Sequence, residues 1–133
     1  MPLSFSDQVR IAIDVQDETV TFICRQPTGK EVSEFLSRRF ITKRNKVQSR
    51  LYEAREEFVN RILLDVENAQ YKNAKGEVLP LTKDTQLSDE DKRFCSSVLG
   101  TQVETWKDLI PLNWKCGVAL HFEDTAAGDE AGN

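Results

Sequence analysis

The first 25 residues alternate between apolar and polar positions with a period of two. The apolar positions are Val9, Ile11, Ile13 and Val15, and then Val20, Phe22 and Cys24. A polar pair, Gln16-Asp17, separates the two halves. Such alternation, in segments rich in β-branched residues, is typical of strands. The pattern predicts a β-hairpin, and an isolated hairpin is marginal in water, so another element must cover its apolar face.

Two helices are predicted next, because the apolar spacing changes from two to three or four. Thr28 and Glu31 have the spacing of a capping box, at the start of a first helix. Its apolar face comprises Val32, Phe35, Leu36 and Phe40. A longer second helix is predicted over residues 43–67. Its apolar stripe comprises Val47, Leu51, Ala54, Phe58, Ile62 and Val66.

The C-terminal half continues with a polar connector over residues 68–87. The connector contains a turn at Asn73–Gly76 and an extended stretch at Val78–Leu81. Ser88 is expected to cap a third helix. The buried face of that helix is expected to comprise Phe94, Val98 and Leu99. Residues 114–122 fit a last helix, although Val118–Phe122 fits a strand equally well, and both interpretations stay open.

These elements predict an α+β fold, in which an N-terminal β-hairpin packs against a mainly helical bundle. The length of 133 residues and the hydrophobic fraction of 39% suit one domain, which we expect over residues 1–122. Residues 123–133 are small, polar and acidic, and are predicted to form a disordered tail.

Composition narrows the functional classes. The net charge of −4 is not that of a dedicated nucleic-acid-binding domain, for which a clearly basic surface is expected. No apolar stretch is long enough for a bilayer, and the N-terminus has neither a basic leader nor an apolar signal core. We therefore expect a cytoplasmic protein. The three cysteines are odd in number and widely spaced, which predicts buried thiols rather than disulfides or a zinc site.

No residue pattern predicts catalysis, a metal or a cofactor. A thiolate pair of Cys116 with His121, the only histidine, is conceivable, but nothing else in the sequence supports it. The Gly29-Lys30 pair lacks the flanking residues of a phosphate loop. The acidic run Asp89–Asp91 suits the first turn of a helix and lacks the alternation of a calcium loop.

Two groups of residues predict binding instead. The basic group has six positive charges in thirteen residues with no acid among them: Arg38, Arg39, Lys43, Arg44, Lys46 and Arg50. It fits a solvated corner, a site for an acidic protein or the chain's own tail, or phosphate contacts with nucleic acid. The apolar group fits either a protein-binding patch or part of the core. Its members are Trp106, Leu109, Ile110, Leu112 and Trp114.

Three passages resemble the tail assembly chaperones of bacteriophages and prophages. The first is the strand that runs into a Glu-initiated helix at Thr21–Glu31, and the second is the turn at Asn73–Pro80. The third is the helical C-terminal half with its short acidic tail. The resemblance implies a small protein without catalytic residues, which coats the apolar stretches of a tape-measure protein until tail-tube subunits replace it.

The expected function is therefore non-enzymatic protein binding during tail morphogenesis, with a tape-measure or other tail protein as partner. Self-association into a homo-oligomer is compatible with this function. The alternative is an accessory protein that binds nucleic acid through the basic residues between Arg38 and Arg50.

Overall fold

The computed structural model describes residues 8–132, apart from the side chains of Lys43 and of residues 125–132. The fold is α+β, as the sequence predicted. The elements in chain order are β1 (Gln8–Val15), β2 (Glu18–Arg25), α1 (Gly29–Arg38), β3 (Phe40–Lys43), β4 (Lys46–Ser49), α2 (Leu51–Ile62), β5 (Leu63–Glu67), β6 (Gln70–Lys72), β7 (Val78–Pro80), α3 (Asp89–Leu99), a short 3-10 helix (Trp106–Leu109) and α4 (Leu112–Gly132). None of the helices between residues 8 and 132 has the length and apolar character needed to cross a lipid bilayer.

The main sheet is antiparallel, with the strand order β1-β2-β5. The predicted β1–β2 hairpin is confirmed, with Val15 paired with Glu18 across a two-residue turn. Gln16 and Asp17 both have positive φ angles, of 48° and 69°, which give the turn a twist that matches the flanking strands. The central strand β2 carries the buried apolar face predicted for it.

The capping box of α1 is also confirmed. The Glu31 backbone N–H donates to Thr28 Oγ1 at 3.1 Å, and the Thr28 N–H donates to Glu31 Oε1 at 3.0 Å. Arg25, the last residue of β2, adds two parallel hydrogen bonds of 2.6 Å to the Glu31 carboxylate. The bonds from Arg25, followed by the backbone bond from Thr28, lower the pKa of Glu31 to about 2. The start of α1 is thus tied to the end of β2.

We expect Glu31→Gln to lower the free energy of unfolding by about 1–2 kcal/mol at neutral pH, because it removes the charge of both the cap and the ion pair. A carboxyl group whose pKa is lower in the folded than in the unfolded state stabilises the fold only while it is ionised. The effect is therefore complete above the ordinary pKa of 4.5, and is lost as the pH falls from 4.5 towards 2. Urea unfolding of both proteins between pH 2 and 7 measures it. A pH-independent difference contradicts the prediction, and the exposed Glu77→Gln serves as control.

The long second helix predicted over residues 43–67 is wrong at both ends. Residues 40–49 form the β3–β4 hairpin, α2 covers only Leu51–Ile62, and residues 63–67 form β5. Arg44 and Asn45 have positive φ angles, of 53° and 63°, which interrupt any helix. At the other end, β5 completes the main sheet by pairing with β2, and this long-range pairing overrides the helical spacing. Val47 and Val66, at the two ends of the predicted helix, have helical spacing but belong to strands.

The core lies where α1, α2 and α4 pack together and against the sheet. Phe58 of α2 stacks on Phe35 of α1, with ring centroids 4.4 Å apart, and meets Phe122 of α4 edge-on at 5.5 Å. The open choice for residues 114–122 is settled as helix. Glu123, assigned to the tail from the sequence, instead pairs with Arg55 of α2 inside the domain. The disorder predicted for residues 123–133 stays a prediction from residue 125 onward, where only the backbone of α4, as far as Gly132, is described.

Within the predicted polar connector of residues 68–87, the turn and the extended stretch belong to a third hairpin. Strands β6 and β7 pair across the predicted Asn73–Gly76 turn, and Leu81 is buried. Ser88 caps α3 as predicted, with its Oγ accepting from the Asp91 N–H at 3.1 Å. The buried face predicted for α3 is wrong at two of its three residues, because Phe94 packs against the core while partly buried, but Val98 and Leu99 are exposed and Cys95 is the buried residue.

Candidate binding surface

The β3–β4 hairpin is the element that carries the predicted basic group. Its strands pair from Phe40 opposite Ser49 to Lys43 opposite Lys46, with Arg44-Asn45 as the turn. A backbone hydrogen bond of 2.7 Å from the Arg50 N–H to the Arg39 carbonyl closes its base. The hairpin forms a sheet of its own, so its strands are not joined to the main sheet.

The structure divides the six basic residues into three at the base and three at the tip of the hairpin. At the base, Arg38 pairs with Glu57 and Arg50 with Glu53, both acids belonging to α2. Arg39 donates to the Leu36 carbonyl at 3.2 Å, and its guanidinium lies 5.9 Å from the Phe40 ring centroid. At the tip, the exposed Arg44 and Lys46 have no ion-pair partner among the described residues, and Lys43 is known only by its backbone. The charge available to a partner is therefore concentrated at the tip.

Large apolar side chains accompany this charge. Phe40 is 51%, Ile41 37% and Val47 71% exposed, although Phe40 and Val47 were predicted to lie on the apolar faces of two helices. The pairing register places Phe40 and Val47 on one face of the hairpin and Ile41 on the other. No described residue of either strand is buried. Because the hairpin is too short to bury its own apolar residues, they remain in water beside the basic turn.

The predicted apolar group around the two tryptophans lies mainly in the core. Leu109 and Ile110 are buried, and Trp106 and Trp114 pack against the core while half-buried. Trp114 meets the buried Phe22 ring edge-on, with centroids 6.5 Å apart. Only Leu112, at the start of α4, is exposed. These five residues do not form one continuous exposed patch.

The candidate thiolate pair is not brought together. Cys116 and His121 are five residues apart on α4, about 140° around the helix axis. Cys116 is buried beside Arg55, while His121 is exposed and lies edge-on to the Phe122 ring. Burial raises the pKa of Cys24 to about 12 and raises that of Cys95, as expected for inert core thiols. Within residues 8–124, no three His, Cys, Asp or Glu side chains are grouped as a metal site.

Two features escaped the sequence-based predictions. Lys115 is only 2% exposed, and burial lowers its pKa; nearby, Lys107 Nζ donates to the Asn60 carbonyl at 2.7 Å. The second feature is an apolar cleft of about 360 Å³ between β6 and α3, next to Val98 and Leu99. The sequence offers one weak signal for each feature. Lys115 stands among residues that have the apolar spacing of a helix, and Val98 and Leu99 lie just before Gly100.

Comparison of the chain with protein-family models, with curated proteins and with solved structures finds no match, so its own residues carry the functional argument.

Proposed function

We propose that the protein is a non-enzymatic binding protein of the tail assembly chaperone type. In this proposal the β3–β4 hairpin holds an apolar segment of a tape-measure protein. The observation that carries the proposal is the exposure of Phe40, Ile41 and Val47 beside Arg44 and Lys46, two cations without an ion-pair partner among the described residues. Apolar side chains grouped on a polar-rimmed surface are typical of contact sites.

The charges indicate what kind of segment the hairpin suits. The chain has a net charge of −4, yet the hairpin tip is basic. A partner with acidic residues next to its apolar stretch meets attraction at the tip, and the acidic remainder of the chain disfavours other orientations. Phe40 and Val47, neighbours on one face, supply the apolar contact. The net negative charge also helps to keep the complex dissolved.

A co-expression experiment tests the proposal. The chain is produced together with the tape-measure protein of a tailed phage, and the soluble and co-purified amounts of that protein are measured. We expect the chain to raise both amounts, and a purified apolar tape-measure segment to bind it in calorimetry. If the unmodified chain neither co-purifies with the tape-measure protein nor keeps it soluble, the proposal is wrong.

Hairpin variants identify the contact element. Phe40→Ser with Val47→Ser removes the apolar contact, and Arg44→Glu with Lys46→Glu reverses the tip charge. We expect each pair of substitutions to weaken binding at least about tenfold, since a few central contact residues carry most of the binding energy of an interface. The matched controls are Val98→Ser, whose side chain is 66% exposed, and Lys75→Glu with Lys83→Glu, all distant in sequence from the hairpin. Equal losses in the controls and the hairpin variants contradict the assignment.

A second candidate, nucleic-acid binding, is favoured by the form of the hairpin. A two-stranded ribbon with a basic turn has the dimensions that the major groove of DNA admits. Two observations disfavour nucleic-acid binding: Arg38 and Arg50 already form ion pairs with carboxylates, and the chain as a whole is acidic. An electrophoretic mobility shift assay with duplex DNA at low salt decides between the two candidate functions. Binding that weakens steeply with salt and is lost in Arg44→Glu with Lys46→Glu supports this candidate instead.

A further inference from the structure

The outer edge of β1 has an unusual symmetry. β1 is an edge strand of the main sheet, and no described strand pairs with its outer side. The segment Gln8–Gln16 reads Gln-Val-Arg-Ile-Ala-Ile-Asp-Val-Gln, which is the same in both directions except at Arg10 and Asp14. Those two positions carry opposite charges. A strand of this kind is complementary to an antiparallel copy of itself, with Ala12 at the centre.

We propose that two copies of the chain pair through β1, antiparallel, with Ala12 opposite Ala12 of the second copy. In this register Arg10 of each copy lies opposite Asp14 of the other, so that one ion pair forms on each side of the centre. On the other face of the strand, Ile11 lies opposite Ile13, and Val9 opposite Val15. Cross-strand pairs of opposite charge and of β-branched residues both stabilise a sheet.

The hydrogen-bonding phase of β1 independently fits this register. Val15 pairs with Glu18 across the two-residue turn, and the residues that flank such a turn form a hydrogen-bonded pair, so Val15 bonds towards β2. Because bonding alternates along an antiparallel pair, the odd-numbered residues of β1 are directed to β2. The even-numbered residues Arg10, Ala12 and Asp14 direct their N–H and C=O groups to the free edge. In the proposed register these three residues of each copy form the backbone hydrogen bonds between the two copies, roughly six in all.

Among residues 8–132, the surroundings of β1 leave room for a second copy and apolar surface for it to cover. The outward face of the strand, Gln8, Arg10, Ala12 and Asp14, is exposed. On the inner face, α4 packs closely on Ile13 through Gly117, where an added Cβ would lie 2.9 Å from Ile13 Cδ1. Even so, Val9, Ile13 and Val15 are only partly buried. Leu120, three residues after Gly117, is exposed on the same side of α4, so pairing would extend the core across the two copies.

Edge strands that carry charges commonly use them to prevent pairing. Here Arg10 pairs with Glu67 of β5, and Asp14 accepts a hydrogen bond from Thr19 at 2.8 Å. Both contacts are exposed and leave carboxylate or guanidinium groups able to take a further partner. The charges therefore oppose pairing in most registers and favour it in the one centred on Ala12.

Sedimentation equilibrium of the full chain tests the pairing. We expect the unmodified chain at twice its mass of 15.2 kDa. Asp14→Arg, which places arginine opposite Arg10 on both sides, should raise the dimer dissociation constant at least about tenfold. Adding Arg10→Asp to that variant restores opposite charges and should restore the dimer. A folding defect would not be rescued in this way.

Two further variants separate the edge from its surroundings. Glu67→Gln removes the present partner of Arg10 within the chain and should leave the dimer unchanged. Ala12→Pro removes an N–H directed to the free edge, which a folded edge strand tolerates, and should give a folded monomer. A monomeric unmodified chain, a double charge reversal that does not restore the dimer, or a dimer that survives Ala12→Pro would each overturn the inference. None of these residues belongs to the β3–β4 hairpin, so the outcome is independent of the proposed function.

Discussion

Replacing Phe58 by alanine is expected to lower the free energy of unfolding by about 3–5 kcal/mol. The Phe58 ring is the meeting point of three helices, since it belongs to α2, stacks on Phe35 of α1 and contacts Phe122 of α4. It is buried, so its loss leaves a cavity lined by two aromatic rings that cannot both move to fill it. Urea unfolding followed by circular dichroism measures the change.

The matched control is Phe40→Ala, which removes the same side chain from an exposed position in β3. Because half of Phe40 is already in water, we expect a loss below about 1 kcal/mol. Equal losses for Phe58→Ala and Phe40→Ala would mean that the stack of Phe35, Phe58 and Phe122 does not hold the helices together. The comparison also shows whether the hairpin can be altered without unfolding the domain, which the binding experiments require.

Replacing Glu123 by alanine is expected to cost about 3 kcal/mol, a large effect for a residue that the sequence assigned to a disordered tail. Arg55 donates to both Glu123 oxygens, from Nε at 3.1 Å and from Nη2 at 3.0 Å. The two side chains are only 12% and 10% exposed. The hydrogen bond with Glu123 is the main reason that the pKa of Arg55 is raised. Without Glu123, a buried guanidinium is left without its carboxylate.

Two comparisons identify the cause. Glu53→Ala removes the exposed partner of Arg50 and should cost about 0.5 kcal/mol or less, because surface ion pairs contribute little. Arg55→Met combined with Glu123→Leu replaces the whole pair by apolar side chains and should recover most of the lost stability. If Glu123→Ala unfolds at the same urea concentration as the unmodified chain, then α4 ends before Glu123 and the tail begins where the sequence placed it.

Local patterns predicted those parts of the fold that depend on neighbouring residues. The β1–β2 hairpin, the Thr28–Glu31 capping box and the Ser88 cap follow from contacts over two to four positions, and the structure confirms them. The turn at Asn73–Gly76 belongs to the same class, since Gly76 has a φ of +83° that glycine adopts readily. These features need no distant partner, and therefore a short window of sequence contains their cause.

The candidate binding surface was predicted in part. The basic residues between Arg38 and Arg50 were recognised from their charge, but they were assigned to the junction of two helices. The spacing of Val47, Leu51 and Ala54 fits a helix whether or not a turn interrupts it. The positive φ angles at Arg44 and Asn45 separate Val47 from α2 and expose it to solvent. For the group around Trp106 and Trp114, the sequence left both surface and core open, and in the structure packing places most of its positions in the core.

The sequence by itself determined the fold class, the first hairpin, the capped starts of two helices and the charge of the candidate binding surface, because each depends on local chemistry. Tertiary structure decided the fate of residues 63–67, which join the sheet because β2 offers a long partner edge. It also decided that Glu123 belongs to the domain and that Phe40 and Val47 face water. Those outcomes depend on residues far apart in the chain, whose contacts a local pattern does not contain.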